Sequence, residues 1–406
     1  MARALDAADP LGFARGRFAV PDGVYLDGNS LGMRPRAAAA RVAATVEREW
    51  GEDLITSWTK HGWIDWPTAL AEPLARLVGA SADELAWADS TSINLTKLAV
   101  AALQSSGGRA SGRRVIVTEA RNFPTDLYVA QGISTLVPGV EVRHVAREAL
   151  AEAMSDEVAL LMLTHVDYRS GERHDVAALS AAARTVGALS LWDLSHSAGA
   201  LDCRLEEWGA DLAVGCGYKY LNGGPGAPAW LYVRRAHQPR LDNPLPGWMG
   251  HAAPFAFDGT YRPADGMRRW LTGTPPVIAL AAVAAGLATF EGVEPGALEA
   301  KAGALTELFI AEVAARCPVL ALAAPREASA RGAQVSFAHP DAYAIVQALI
   351  ARGVVGDFRA PDLMRFGFAP LATRFEDAVI AAEALAGVLS SGAWRDPAYA
   401  ARKAVT

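Results

Sequence analysis

Short apolar runs alternate with helical patterns from residue 84 to residue 233, and this alternation constrains the fold more than any other feature. The apolar runs have the length of buried strands, and the segments between them have helical spacing. Repeated strand–helix alternation favours a mostly parallel sheet that is covered by helices. We therefore predict an α/β fold whose sheet has seven strands, at residues 85–88, 114–118, 140–145, 159–163, 188–193, 211–214 and 229–233. Helices are predicted near residues 93–104, 124–132 and 176–186.

The pattern changes beyond about residue 275, where long alanine-rich helical segments begin. Two helices are predicted there, at residues 276–291 and 296–315, and later ones at 341–351 and 375–389. Short strands are expected at residues 334–337, 354–358 and 364–366. Because strands and helices no longer alternate regularly, we predict a smaller α+β domain at this end of the chain.

Charge is balanced along the chain, which has 38 basic and 44 acidic residues and a net charge of −6. Since no long block of like charge occurs, we expect neither a nucleic-acid surface nor an anionic-membrane surface. The longest weakly polar run, residues 277–290, is shorter than a membrane span requires and is expected to be a buried helix. Residues 1–20 lack the apolar core of a signal peptide, so secretion is not expected.

The three cysteines, Cys203, Cys216 and Cys317, are too few and too scattered for a disulfide framework or a metal cluster. Such cysteine usage fits a reducing cytoplasm, and we expect no bound metal. With 51% hydrophobic and 20% charged residues, the composition is that of an ordinary globular enzyme acting on a small molecule.

Lysine is rare in this chain, because arginine supplies nearly all of the positive charge. A lysine can form a Schiff base with a carbonyl cofactor only if it is accessible and can lose its proton. Lys97 and Lys301 lie in helical patterns and Lys403 lies in the tail, where solvated charges are expected. Lys60, in an aromatic loop, is not excluded. Lys219 follows a buried strand, and partial desolvation there favours the neutral amine, so it is the best candidate.

A pyridoxal phosphate ring also needs an acid that holds a proton on its nitrogen, because the protonated ring is the better electron sink. Asp193 lies at the carboxyl end of the preceding predicted strand. An aspartate in this position is often only a helix cap, but its pairing with Lys219 on the next strand favours a cofactor site. His196 either contacts the cofactor or has a structural role.

Other polar segments provide the remaining contacts that such a cofactor needs. Thr91 and Ser92 begin a predicted helix, whose free backbone N–H groups bind anions, although a simple cap would have the same sequence. Residues 221–226 are glycine-rich but lack the Gly-Lys-Ser/Thr ending of a nucleotide P-loop, which disfavours a nucleotide-binding domain. Phe123 could stack on a flat ring, and Arg365 could bind a substrate carboxylate.

Five segments together resemble the kynureninases, a family of pyridoxal-phosphate hydrolases. They are LDGNSLG at residues 26–32, NFPTD at 122–126, DLSHSAG at 193–199, GYKYLNGGPG at 217–226 and GWMGH at 247–251. The resemblance extends from about residue 20 to 385 and is specific in combination. It implies the type I fold of the aspartate aminotransferases and a homodimer with its active site at the subunit interface. It also implies cleavage of L-kynurenine, in tryptophan catabolism and NAD biosynthesis, to anthranilate and L-alanine.

The resemblance assigns roles position by position. Lys219 is similar to the lysine that binds the cofactor and removes the α-proton, Asp193 to the partner of the ring nitrogen, and Tyr218 to a catalytic acid. Arg365 resembles a carboxylate clamp; the loop of Asn29 and Ser30 is either a plain turn or part of the substrate site. The implied cofactor contacts are Thr91, Ser92, Phe123, Asp126, Thr164, Asp193, His196, Tyr218 and Lys219, with Trp248 and Thr274 reaching in from the neighbouring subunit.

The resemblance also divides the chain. Residues 1–55 are expected to be a segment that joins the small domain and contacts the partner subunit, residues 56–275 the large cofactor-binding domain, and residues 276–406 the small domain. One alternative is another lyase of this fold, such as a cysteine desulfurase, which needs a nucleophilic cysteine on a mobile loop. A second alternative is a non-catalytic binding protein. Preference between kynurenine and 3-hydroxykynurenine stays open.

Overall fold

A computed structural model describes residues 1–105 and 112–402, so Lys403 and the last residues of the predicted small domain lie outside it. The strands are β1 (Val24–Tyr25), β2 (Leu85–Ala88), β3 (Val115–Glu119), β4 (Glu141–Val145), β5 (Val158–Thr164), β6 (Leu189–Asp193), β7 (Leu212–Cys216), β8 (Ala229–Val233), β9 (Ala321–Leu322), β10 (Gln334–Ala338), β11 (Val354–Val355), β12 (Asp357–Arg359) and β13 (Leu363–Gly367).

The largest sheet has seven strands in the order β2-β8-β7-β6-β5-β3-β4. Strands β7, β6, β5, β3 and β4 are parallel, and β8 runs antiparallel to both of its neighbours, β7 and β2. This arrangement confirms the predicted seven-stranded, mostly parallel sheet. The register pairs Thr164 with Asp193 and Asp193 with Val214, so polar side chains of neighbouring strands meet at one edge.

Helices cover both faces of this sheet. Along β5, Leu161 and Leu163 pack into one hydrophobic core, while Leu160 and Met162 pack into another. Burial on both faces explains why this strand is a continuous apolar run rather than an alternating one. The helices are α1 (Ala2–Ala7), α2 (Arg36–Ala44), α3 (Ser57–Lys60), α4 (Trp66–Ala69), α5 (Ala71–Val78), α6 (Thr91–Gln104), α7 (Pro124–Leu136), α8 (Val176–Thr185), α9 (Val277–Leu287), α10 (Pro295–Arg316), α11 (Ala342–Ile350) and α12 (Phe375–Ser391).

A separate antiparallel sheet of order β12-β13-β10-β9 forms the C-terminal region and encloses a third core with α10, α11 and α12. The N-terminal segment joins it, because β1 pairs in parallel with β11. The predicted strand at 354–358 is two strands separated at Gly356, where a Cβ would lie 2.9 Å from the Arg365 carbonyl oxygen. The domain boundaries near residues 55 and 275 stay a prediction.

Two lysines correct the sequence analysis, because Lys97 and Lys301 are buried rather than solvated. The Lys97 ammonium lies 2.7 Å from Asp89, and the Lys301 ammonium lies 2.5 Å from Asp9. Each charge is therefore paired, which is how a buried ammonium is usually tolerated. In contrast, the Lys60 side chain is half exposed and pairs with Asp53.

No single helix within the described residues is long and apolar enough to cross a membrane. Two consecutive helical segments, residues 277–290 and α10, have the length and apolar composition of a membrane span only when they are taken together. The chain bends by 81° between them. As expected for a core helix, α9 buries Leu280, Val283 and Leu287.

Candidate active site

The site lies at the carboxyl ends of the parallel strands, where open α/β sheets bind their ligands. One cleft there is lined by Thr91, Ser92, Phe123, Thr125, Asp126, Thr164, Asp193, Ser195, His196, Tyr218 and Lys219. The structure therefore brings together all of the predicted cofactor contacts except Trp248 and Thr274.

Lys219 follows β7 and its side chain is buried in this cleft. Its Nζ lies 3.0 Å from His196 Nε2 and 5.8 Å from the centroid of the Phe123 ring. The loop that carries Lys219 packs tightly against the N-terminal segment, because the Gly32 N–H donates to the Tyr218 carbonyl at 2.8 Å. A Cβ at Gly32 would collide with the Lys219 carbonyl oxygen, which explains the glycine at that position.

His196 connects the cleft to the N-terminal loop. Its Nε2 lies 3.1 Å from the Asn29 carbonyl oxygen as well as close to Lys219, and its Nδ1 is buried without a hydrogen-bond partner in the described chain. Burial lowers the pKa of His196 well below its ordinary value, and the charges of Lys219 and Arg365 lower it further. The imidazole is therefore neutral, and its Nδ1 is available to a bound group.

Two buried carboxyl groups face the same cleft. Burial raises the pKa of Asp193, against the opposing effects of a 2.7 Å hydrogen bond from the Ser195 N–H and the charge of Lys219. Burial and the neighbouring Asp193 raise the pKa of Asp126 well above its ordinary value. Asp126 Oδ2 accepts from the Thr164 hydroxyl at 3.1 Å, but Oδ1 is buried and lacks a partner among the described residues. For both acids, the effect of burial on the pKa is larger than the effect of their hydrogen bonds and of the Lys219 charge.

Asn122 and Ser195 belong to the site but were not singled out from the sequence. The Asn122 side-chain oxygen accepts from the Phe123 N–H at 2.8 Å and competes with Asp126 for the single hydrogen of the Thr164 hydroxyl. The Ser195 hydroxyl accepts from the Cys216 N–H at 3.1 Å, which connects the ends of β6 and β7. Both residues follow a strand end and lie next to Phe123 or Asp193 in the sequence, and these positions could have indicated that they belong to the site.

The start of α6 forms one end of the cleft. Thr91 and Ser92 occupy its first turn, and the Ser90 hydroxyl caps the helix by accepting from the Ile93 N–H at 3.4 Å. The residue before this cap, Asp89, has a left-handed backbone with φ of 48°. The buried Lys97 ammonium binds Asp89 at 2.7 Å and so stabilises the turn. Free N–H groups and the helix dipole favour a phosphate at this end.

Arg365 lies on β13 of the second sheet and is 1% exposed. Its Nε donates to Asp357 at 2.8 Å, its Nη1 to the Tyr168 carbonyl at 2.7 Å and its Nη2 to the Ser30 hydroxyl at 2.9 Å. The Asn29 amide instead donates to Gln334 at 3.1 Å. The loop of Asn29 and Ser30 is thus more than a plain turn, since it connects the lysine cleft with Arg365.

Trp248 and Thr274 lie outside the cleft of their own chain. Trp248 is 39% exposed and makes edge contacts with Trp58 at 6.5 Å and Phe255 at 5.9 Å between ring centroids. Thr274 is exposed. Neither side chain therefore contributes to the cleft within one subunit.

The cysteines disfavour the desulfurase alternative. Cys203, Cys216 and Cys317 are all free and buried. Burial raises the pKa of each thiol, whereas a nucleophilic cysteine needs accessibility and a thiolate. Within the described residues, no group of three or more His, Cys, Asp or Glu side chains is placed to hold a metal ion.

Solved structures share this fold at low sequence identity. A cysteine desulfurase from Thermococcus onnurineus NA1 has a TM-score of 0.76 and 18% identity, covering 94% of this chain and 97% of that one. A C-DES mutant with glycine covalently linked to the PLP cofactor has a TM-score of 0.79 and 17% identity, covering 92% and 98%. These likenesses show the fold class alone, and in this chain a buried lysine and a buried aspartate lie at the strand ends of that fold.

Sequence comparison narrows this class. Residues 298–385 match the family model of the kynureninase C-terminal domain. A kynureninase from Burkholderia mallei is 50% identical over 410 residues, covering 100% of this chain and 99% of the relative. A kynureninase from Pseudomonas fluorescens is 47% identical over 408 residues, covering 99% and 98%. The chain belongs to the kynureninase family.

Proposed function

We propose that this protein hydrolyses L-kynurenine to anthranilate and L-alanine with pyridoxal phosphate as its cofactor. The observation that supports this most is the joint occurrence of full-length similarity to kynureninases and a cleft in which a buried lysine, two buried acids and a helix N-terminus converge. Similarity alone would not exclude a non-catalytic relative, and the cleft alone would fit several reactions of this fold.

The residues present fit the cofactor. Lys219 would hold it covalently, Asp193 would face its ring nitrogen, Phe123 would pack on its ring, and Thr91 and Ser92 would bind its phosphate. The unpartnered Asp126 Oδ1 and His196 Nδ1 are buried polar atoms that a polar ring would satisfy. When bound, pyridoxal phosphate supplies an electron sink that stabilises negative charge at carbons of the substrate.

The side chains of the site have separate tasks in this reaction. The Lys219 amine, close to the neutral His196 rather than to a cation, would remove the α-proton. Burial raises the pKa of Tyr218, as does the nearby Cys216, so its phenol stays protonated and would serve as the acid that protonates the alanine fragment. Arg365 would help to bind the substrate carboxylate, and the Asn29–Ser30 loop would hold Arg365 in place.

A comparison of two activities separates this function from its runner-up. Purified protein supplied with pyridoxal phosphate should release fluorescent anthranilate from L-kynurenine and no sulfide from L-cysteine. Sulfide release without anthranilate would favour the desulfurase. The absence of both products would favour a non-catalytic binding protein. The same assay with 3-hydroxykynurenine would determine the substrate preference.

We further propose a homodimer in which Trp248 and Thr274 of each subunit complete the cleft of the other. The exposed apolar side chains near Trp248 support this, because large exposed apolar groups often mark subunit interfaces. They include Phe255 and Phe257. We also propose that the chain divides into residues 1–55, 56–275 and 276–406. We propose that the protein acts in the cytoplasm, because its buried free cysteines are compatible with a reducing compartment. Its proposed metabolic role is in tryptophan catabolism and NAD biosynthesis.

Co-expression of two inactive variants tests the shared site. Lys219→Ala and the double variant Trp248→Ala/Thr274→Ala should each have little activity, whereas their hybrid dimer contains one complete site. With random pairing, half of the dimers are hybrids, so about a quarter of wild-type activity should return. The matched control pairs Lys219→Ala with Asp193→Asn, where both clefts of the hybrid stay defective and no activity should return. No recovery in the first pair would contradict the shared site.

A further inference from the structure

Two carboxyl groups meet beside the arginines of the proposed substrate site. Asp27 follows β1 and forms an isolated parallel bridge with Gly367 at the end of β13. Asp357 begins β12 and pairs with Arg365 across the antiparallel ladder. The N-terminal segment and two strands of the second sheet therefore bring both acids to Arg365.

Asp357 is saturated with donors. Its Oδ1 accepts from Arg365 Nε at 2.8 Å, and its Oδ2 accepts from the Ser30 hydroxyl at 2.9 Å and from the Arg365 Nη2 group. The Arg359 guanidinium also lies 2.7 Å from Oδ2. Although burial opposes ionisation, the charge and hydrogen bonds of Arg365, with Arg359 and Ser30, lower the pKa of Asp357. This carboxylate is therefore ionised.

In contrast to Asp357, Asp27 has a carboxyl oxygen that accepts no hydrogen bond from the described chain. Its Oδ1 is buried and has no hydrogen-bond partner within the described residues, and the negative charge of Asp357 acts on the same carboxyl group. A second buried negative charge beside the ionised Asp357 is unfavourable, which favours the protonated form of Asp27. Burial and the negative charge of Asp357 raise the pKa of Asp27 to about 7, against the opposing charge of Arg365.

The surrounding groups do not compete for this proton near neutral pH. The charged and titratable side chains around Asp27 are Tyr25, Tyr220, Asp357, Arg359 and Arg365. Burial raises the pKa of both tyrosines, so they stay neutral, and the two guanidinium groups stay charged. With Asp27 protonated, the cluster has two positive charges and one negative charge. With Asp27 ionised, its net charge is zero.

We propose that Asp27 is a positioning residue whose retained proton leaves the Arg359–Arg365 pair with one positive charge to attract the carboxylate of the substrate. This role rests on the proposed function, because it requires an amino-acid substrate that binds at these arginines. Arg365 already donates to three partners, and the more exposed Arg359, with 32% of its side chain accessible, is the guanidinium that can turn toward a ligand.

The sign of the pH dependence follows from this charge count. Below its pKa of about 7, Asp27 is protonated and the cluster attracts a carboxylate; above it, Asp27 is ionised and that attraction is lost. Substrate binding at high pH must therefore take up a proton. The KM for L-kynurenine should then rise by up to about tenfold for each pH unit above this pKa.

The test compares KM and kcat of the wild type with those of Asp27→Asn from pH 6 to pH 9. The amide keeps the size of the side chain without a negative charge, so its KM should stay flat where the wild-type KM rises, while the kcat profiles stay parallel. Asp22→Asn, an exposed change on the same segment, should retain the wild-type profile. Asp27→Ser also removes the charge and serves as a second variant if the amide destabilises the fold.

Infrared spectroscopy of the holoenzyme gives a readout that does not depend on turnover. The wild type should lose the C=O band of a protonated carboxyl group between pH 6 and pH 9, and the difference from Asp27→Asn should isolate that band. Parallel KM profiles, or no such band difference, would overturn the role of Asp27. Absence of anthranilate at every pH would instead overturn the proposed function, so the two failures are distinguishable.

Discussion

Lys219→Ala should abolish anthranilate release, with a loss of at least about 10⁴-fold in kcat, because covalent attachment and proton transfer are removed together. The buried Nζ lies 3.0 Å from His196 Nε2, and the cleft contains no other lysine among its lining residues. Neighbouring groups therefore cannot replace the amine. The variant should also lose the visible absorbance of the lysine-bound cofactor. Fluorescence of anthranilate and an absorbance spectrum measure the two effects.

Lys60→Ala is the matched control for this prediction. Lys60 is the other candidate that the sequence did not exclude, but its half-exposed side chain forms an ion pair with Asp53 at 2.5 Å. Its loss should leave the absorbance band intact, since exposed ion pairs contribute little. A Lys219→Ala protein that keeps both the band and turnover would contradict the assignment of the cofactor lysine.

Asp193→Asn should lower kcat by about 10³-fold, in the range that a single proton-placing group contributes. The amide has nearly the same shape, and its oxygen can still accept the 2.7 Å hydrogen bond from the Ser195 N–H. It cannot hold a proton on a ring nitrogen by charge, so the cofactor would become a weaker electron sink. Cofactor should still bind to Lys219, which separates this defect from that of Lys219→Ala.

Two measurements make the Asp193 prediction decisive. The unfolding midpoint of the apoprotein should not fall, because burial already raises the pKa of Asp193 and the amide removes a carboxyl group that is costly to bury. Single-turnover kinetics should place the loss in the chemical step rather than in substrate binding. A wild-type kcat in Asp193→Asn would show that the ring nitrogen needs no acidic partner here.

The sequence correctly predicted those features of the fold and the site that depend on residues close together in the chain. The β5 strand is a continuous apolar run, and Asp193 and Lys219 follow apolar strands directly, so their meeting at one sheet edge could be predicted. The helix that begins at Thr91 was likewise identifiable from its hydroxyl-rich start.

Long-range partners could not be predicted from such patterns. From the sequence, Lys97 was predicted to be a solvated helix residue. In the structure, its Nζ lies 2.7 Å from Asp89 and 2.8 Å from the carbonyl oxygen of Trp270, which is 173 positions away in the chain. Asp27 resembles a turn residue until β12 and β13 bring Asp357 and Arg365 to it. In both cases the electrostatics depend on contacts that the tertiary fold creates, which a local pattern does not encode.

Hydrolysis of L-kynurenine in ¹⁸O-labelled water is the most direct measurement of the central claim. Wild-type protein with pyridoxal phosphate should yield anthranilate and L-alanine in equal amounts, with the label in the anthranilate carboxylate and none acquired by cleavage in alanine. This pattern follows if water adds at the carbonyl carbon before the carbon–carbon bond breaks, while Lys219 and Tyr218 transfer the protons. Unequal products, unlabelled anthranilate or no anthranilate would contradict a kynurenine hydrolase built on Lys219 and Asp193.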